Sequence, residues 1–177
     1  MFNVSRNPVN FTFTKTLKCV FFQTTFYNIK EIPRLLNMEE NNFSADELLL
    51  YAYEKWGISL LYKFKGAFSF VVYDMEKNLY FLARSPLCLK PCHYIKSGKE
   101  YHFSLNIDNL RNFLSVPKKQ NLQSKCTVDC TDTTHEGIYH LPPGYFMTIE
   151  DGQERIERYW YPEKIMQCFR SHNTTDR

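Results

Sequence analysis

Six cysteines and five histidines are the residues of this 177-residue chain best suited to metal or nucleophilic chemistry. Cys88-x₃-Cys92-His93 and Cys126-x₃-Cys130, followed by His135, have the residue types of a zinc site, in which four thiolate or imidazole ligands close a tetrahedron. The three-residue gaps are looser than the usual two-residue knuckle, and Cys92 and His93 would leave a strand on opposite faces. Buried cysteine also serves as a small hydrophobe. A zinc-binding adaptor on Cys88, Cys92, Cys126 and Cys130 is therefore an alternative, and the main expectation is no metal. As nucleophiles, Cys19 lies in the apolar run Cys19-Val20-Phe21-Phe22, where burial would blunt it, and Cys168 lies in a polar tail. Neither has a base at an arguable spacing. No G-x-G-x-x-G or Walker arrangement occurs among the six glycines, so no loop cradles phosphate.

The elements that would position these residues read as follows. Hydrophobic residues make up 44% and charged residues 23%, which suits one folded domain and excludes bulk disorder. An aromatic share of 16% favours β-rich packing, and a net charge of +3 argues against nucleic acid. No run approaches the length of a membrane span or a signal-peptide core. The chain is expected in the cytoplasm with reduced thiols, and the triplets at Asn3, Asn10, Asn42 and Asn173 carry no weight as glycosylation sites.

Residues 11–14 and 19–22 read as strands. Ser44-Ala45-Asp46-Glu47 is a capping box that opens a helix, with Leu49, Tyr53 and Trp56 on one core-facing stripe and Gly57 at its end. Residues 67–73 and 79–83 flank a polar turn and read as a hairpin, as do 91–96 with 100–105 and 145–149 with 154–160. A short helix over 106–114 takes Asn106 as its cap. Residues 116–134 read as loop, Leu141-Pro142-Pro143-Gly144 as a rigid turn, and 163–177 as a disordered or truncated tail. These elements sum to an α+β domain.

Four blocks, in order, resemble the glutaminase-like domain of class II glutamine amidotransferases, in the style of the asparagine synthetase family with its lasso-peptide cyclase and β-lactam synthetase cousins. They are the helix at 46–57, Gly66 to Asp74 (GAFSFVVYD), Leu79 to Tyr94 (LYFLARSPLCLKPCHY), and Gly137 to Trp160 (GIYHLPPGYFMTIEDGQERIERYW). The resemblance covers about residues 20–162. It implies an N-terminal-nucleophile (Ntn) hydrolase-like αββα sandwich of antiparallel sheets, here with a shortened first part, forming one domain over 1–162 with residues 1–20 as the short lead.

In the resembled family an N-terminal cysteine attacks glutamine, with its own amine as base. An Asn-Gly pair in an NGEIYN motif forms the oxyanion hole, and an Arg and an Asp hold the substrate. Carried over, these positions fail. Phe2 stands at the nucleophile position. Gln23 and Thr24 replace the Asn-Gly pair, Asn28 closes the motif, and Ala45 takes the place of the Asp, with Asp46 about 100° further round the helix. Arg6 is the sole arginine of the lead. Gln23, Thr24, Asn28 and Asp46 are thus remnants of a substrate site.

Arg84 and Lys90 lie in the RD-x-x-G-x-KP-like segment and read either as structural residues or as contacts to a partner domain. There Ser85 replaces Asp and Cys88 replaces Gly, so the turn is expected to differ. The expected function is a non-catalytic domain docked on an ATP-dependent, amide-forming synthetase domain carried by another chain or lost by truncation. ATP and magnesium would belong to that partner alone. The alternatives are an active glutaminase supplying ammonia and the zinc adaptor. An open edge of the first sheet is a second partner expectation, through a homodimer.

Overall fold

The computed structural model describes residues 11–13, 17–39, 42–89, 91–98, 100–114, 131, 133 and 135–163. The chain runs β1 (Phe11–Phe13), β2 (Leu17–Phe26), α1 (Ile32–Leu36), α2 (Ala45–Trp56), β3 (Gly66–Asp74), β4 (Leu79–Arg84), β5 (His93–Ser97), β6 (Glu100–Ser104), α3 (Ile107–Leu114), β7 (Tyr139–His140), β8 (Tyr145–Glu150) and β9 (Gln153–Arg158). A six-stranded sheet has the order β1-β2-β3-β4-β8-β9, and a three-stranded sheet the order β6-β5-β7. Every strand pair is antiparallel.

The period of two along each strand sorts the side chains into layers. From β3 and β4, Phe68, Phe70, Val72, Phe81 and Ala83 pack against Leu49, Leu50 and Tyr53 of α2 and Ile32 of α1. Their alternate neighbours Val71 and Leu82, with Met147 and Ile149 of β8, face Tyr94, Tyr101 and Phe103 of the small sheet. On the far side of that sheet Ile95 packs with Ile138 and with Leu110 of α3. Helices, large sheet, small sheet and helix are therefore stacked in that order. Strands covered on both faces need apolar residues at successive positions, and β3 accordingly reads Phe68 to Val72 as a continuous buried run.

The capping box forms as the sequence predicts: Ser44 Oγ accepts from the Glu47 amide (3.3 Å), and Glu47 Oε2 accepts from the Ser44 amide (2.8 Å). Gly57 ends α2 at φ 54°. The three predicted hairpins are present, and the Asp108 amide donates to Asn106 Oδ1 (2.9 Å) at the start of α3. The first two strands differ from expectation, because β2 extends to Phe26 and takes in Gln23 and Thr24, with an irregularity between Phe21 and Gln23. Helix α1 and strand β7 have no counterpart in the sequence reading. Pro33 lies in the first turn of α1, where its missing N–H costs nothing. The β7 pairing is only two residues long. Most of the 116–134 segment and residues 164–177 lie outside the described residues. No described helix is long and apolar enough to cross a membrane.

Strand β1 pairs with β2 only from Lys18 to Val20. Among the described residues, then, β2 from Phe21 onward has a neighbour on one side only. At the opposite edge β9 carries Glu154, Arg155, Glu157 and Arg158, and charges of this kind discourage edge pairing.

Gly66 is fixed by close approach: a Cβ there would fall on the Thr25 carbonyl oxygen of β2. Gly66→Ala should therefore destabilise the fold by about 2 kcal/mol through forced backbone shifts. Ser44→Ala should cost about 1 kcal/mol through loss of the cap. Urea denaturation midpoints check both, and a wild-type midpoint for Gly66→Ala would refute the close-packing account.

Candidate functional site

Strand β2 brings Gln23 and Thr24 opposite Ser69 and Phe68. The Phe68 amide donates to Ser85 Oγ (2.9 Å), and the Ser85 amide donates to the Phe68 carbonyl (2.8 Å). The main-chain groups of Phe68 are thus committed away from β2. On the same ladder the Tyr27 amide donates to the Lys65 carbonyl (2.8 Å). Hydrogen-bonded and non-hydrogen-bonded pairs alternate along an antiparallel ladder. The Thr24 N–H and C=O therefore turn away from β3, toward the side that β1 leaves uncovered.

Asn28 closes this segment. It is buried, its Nδ2 donates to the Lys63 carbonyl (2.9 Å), and its Oδ1 accepts from the Lys65 amide (2.9 Å). Both ends of the amide are spent on tying the end of β2 to the approach to β3. This corrects its reading as a substrate-binding remnant: the side chain staples the backbone. Ala45, the first residue of α2, packs against the main apolar core. Asp46 follows it, half-buried, in the first turn of the helix.

At the end of β4 stands Arg84, only 7% exposed. Its Nε and Nη2 both donate to the Cys88 carbonyl (3.1 and 2.9 Å), and its Nη1 donates to the Leu141 carbonyl (2.9 Å). Its own carbonyl accepts from the Gly144 amide (3.0 Å) and from Tyr159 Oη (3.2 Å). Burial lowers its pKa, against the opposing influence of the Cys88 and Cys92 sulfurs. Of the two readings of Arg84 the structural one fits: a guanidinium turned inward onto carbonyls offers nothing to a partner domain. Lys90, its companion in that expectation, lies outside the described residues, as do Phe2, Arg6, Cys126, Cys130 and Cys168. The turn between Arg84 and Cys88 closes through the Cys88 amide on the Ser85 carbonyl (3.2 Å). It needs no positive φ at Cys88, which is how Cys replaces Gly there.

For zinc, Cys88 and Cys92 are both buried and in no disulfide. Burial is the largest influence on Cys92 and pushes the pKa of its thiol up, with Arg84 opposing. Cys92 joins the core between the sheets, whereas the neighbouring His93 places its ring 6.3 Å from that of His140. Among the described residues no group of three or more potential ligands converges. A cleft of about 520 Å³ lies between the small sheet and β9, lined by Tyr94, Lys96, Tyr139 and Glu154 among others. Its charged groups are spent on each other: Lys96 Nζ lies 3.6 Å from Glu154 Oε1, which also accepts from Tyr101 Oη (2.7 Å).

This stacking of antiparallel sheets, together with the four ordered sequence blocks, agrees with known proteins. The profile of the glutamine amidotransferase domain family matches residues 5–160. The chain belongs to that family. A putative asparagine synthetase [glutamine-hydrolyzing] 2 of Methanocaldococcus jannaschii is 28% identical over 152 residues, covering 81% of this chain and 30% of that protein. Asparagine synthetase [glutamine-hydrolyzing] 3 of Bacillus subtilis is 26% identical over 176 residues, covering 89% and 27%. Among solved structures, glutamine phosphoribosylpyrophosphate amidotransferase from B. subtilis superimposes with a TM-score of 0.59 at 16% identity, over 84% of this chain and 30% of that one. The fold is thus that of the Ntn-type amidotransferases. The chain spans less than a third of the length of the curated relatives named here.

The sequence reading missed Ser85 and Tyr159 as parts of the amidotransferase framework. Ser85 extends the β3–β4 ladder by a side-chain and a main-chain bond, and Tyr159 bonds the Arg84 carbonyl, so both belong to the same corner as the Arg84 clamp. A serine following a strand and a tyrosine ending one carry no pattern that predicts this. Arg84→Ala should cost about 3 kcal/mol, because two buried carbonyls lose charged donors, and should lower Tm by about 10 °C. Arg84→Lys should recover little of the loss, since a single ammonium lacks the fork that reaches both carbonyls. Calorimetry checks both, and a lysine variant as stable as the wild type would refute the clamp.

Proposed function

We propose that this amidotransferase domain is non-catalytic and serves as a docking domain for an ATP-dependent, amide-forming synthetase domain of the asparagine synthetase type, with ATP and magnesium bound by that partner. The observation that carries this reading is Ala45. At the position where the resembled motif places the carboxylate that holds the substrate amine, the side chain is a methyl packed on the apolar core. Asp46 cannot substitute from the next position of a helix, about 100° away. Gln23 and Thr24 replace the Asn-Gly pair, and Asn28 is consumed by the backbone. The scaffold persists while the groups that would bind glutamine are replaced.

A second reading, an active glutaminase supplying ammonia, has one observation in its favour. The Thr24 N–H faces the side of β2 away from β3, and a backbone donor of that kind can stabilise an oxyanion whatever its side chain. A single such donor typically contributes about 3–4 kcal/mol.

Incubating the purified chain with glutamine and following glutamate release separates the two. No release above buffer is expected, and sustained turnover would overturn the non-catalytic reading. Cross-linking in the source cell followed by mass spectrometry tests docking. Recovery of a chain bearing an ATP-pyrophosphatase site is expected, and recovery only of chains lacking one would count against it.

A further inference from the structure

Four of the chain's five histidines, His93, His102, His135 and His140, lie in the outer part of the fold formed by the small sheet, α3 and the 131–138 segment. Tyr94 faces the large sheet, so His93 and Ile95 face the other way, toward α3, and their cross-strand partners Ser104, His102 and His140 share that face. His93 Nδ1 is buried and has no hydrogen-bond partner.

The surroundings of His93 disfavour a positive charge. Arg84, at the end of β4, is a buried cation whose guanidinium bonds only to the Cys88 and Leu141 carbonyls. Leu141 directly follows His140, whose ring packs edge-on to His93. From the 131–138 segment comes the buried His135, with exposed Glu136 beside it. From β6 comes the buried His102, whose Nε2 lies 3.9 Å from Glu100 Oε2. The described ionic groups of α3 are exposed Asp108 and half-buried Arg111. The thiols nearby, Cys88 and Cys92, are buried, and burial pushes the Cys92 pKa up.

We propose that His93 is an acid sensor, and that its protonation loosens α3 and the small sheet from the rest of the domain while α2 and the large sheet stay folded. The sign follows from burial. Desolvation is the largest influence on His93 and lowers its pKa, with Arg84 and His135 acting in the same direction and the main chain at Leu105 and Ser104 opposing. A histidine in the opened layer has the ordinary value of about 6.5. Closing the layer therefore releases a proton, and the stability this confers is present above pH 6.5. It is lost as the pH falls from 6.5 toward the lower value of the closed state.

Amide hydrogen exchange on the whole chain at pH 7.5, 6.5 and 5.5, corrected for intrinsic rates, tests this. In the wild type the protection of α3 and β5–β6 should fall below pH 6.5 by up to about tenfold per pH unit, the limit for one linked proton. The protection of α2 and β3 should stay level. His93→Leu should abolish the acid-dependent loss. Flat wild-type protection of α3 would overturn the proposal without any variant. So would a uniform loss across all layers, or a slope that survives in His93→Leu.

Discussion

A guanidinium buried without a carboxylate holds one end of this fold together. Among the described residues the Arg84 guanidinium bonds to carbonyl dipoles alone, and those carbonyls come from places far apart in the chain, Cys88 on one side and Leu141 on the other. The planar fork matters here, because one donor pair converges on the Cys88 oxygen while the remaining arm reaches Leu141. The same residue's carbonyl then fixes the Gly144 amide and the Tyr159 hydroxyl. Strand β4, the turn leading to β5, the Pro142-Pro143 corner and the exit of β9 are thus tied through one residue. Replacing the cation by an apolar side chain would leave the Cys88 and Leu141 carbonyls buried without their charged donor.

The layered arrangement follows from the two faces of the large sheet. Because α1 and α2 cover one face and the small sheet covers the other, β3 and β4 have no solvent side and are apolar at nearly every position. Of the polar groups admitted there, Ser69 Oγ is buried with no hydrogen-bond partner among the described residues, and others serve the backbone. Asp74, 4% exposed at the end of β3, accepts from the Glu76 and Lys77 amides and so shapes the turn into β4. Asn28 does the same between β2 and β3. Both are buried polar side chains whose cost is offset by main-chain groups that would otherwise be unsatisfied.

How much of this was legible in the sequence depended on whether the information was local. The capping box at Ser44, the glycine stop at Gly57, and the hairpins turning at 74–78, at 97–99 and at Asp151-Gly152 are encoded within a few residues, and they formed where expected. The four ordered blocks carried the family. Helix α1 was not legible because it is short and contains Pro33, a residue that reads as a breaker unless the helix start is known. The roles of Arg84 and Asn28 were not legible either. Each depends on carbonyls or amides brought near by pairing over long sequence separations, between residues 84 and 141 in one case and between 28 and 63–65 in the other. Local sequence shows a polar residue in such a case but not whether a ligand or the backbone has claimed it.

The separation between scaffold and chemistry in this domain has the same origin. The direction of each main-chain N–H in β2 is set by its register against β3, and register is set by the apolar pattern of Phe68, Phe70 and Val72 against the helices. That pattern does not include positions 23 and 24, whereas Ala45 packs on the same core. The ladder therefore fixes the backbone at Gln23 and Thr24 without dictating their residue types. The side chain of Asn28 is held in place for a different reason, because its amide is structural. Where the backbone depends on a side chain, as it does on Asn28, the residue is fixed by the fold itself.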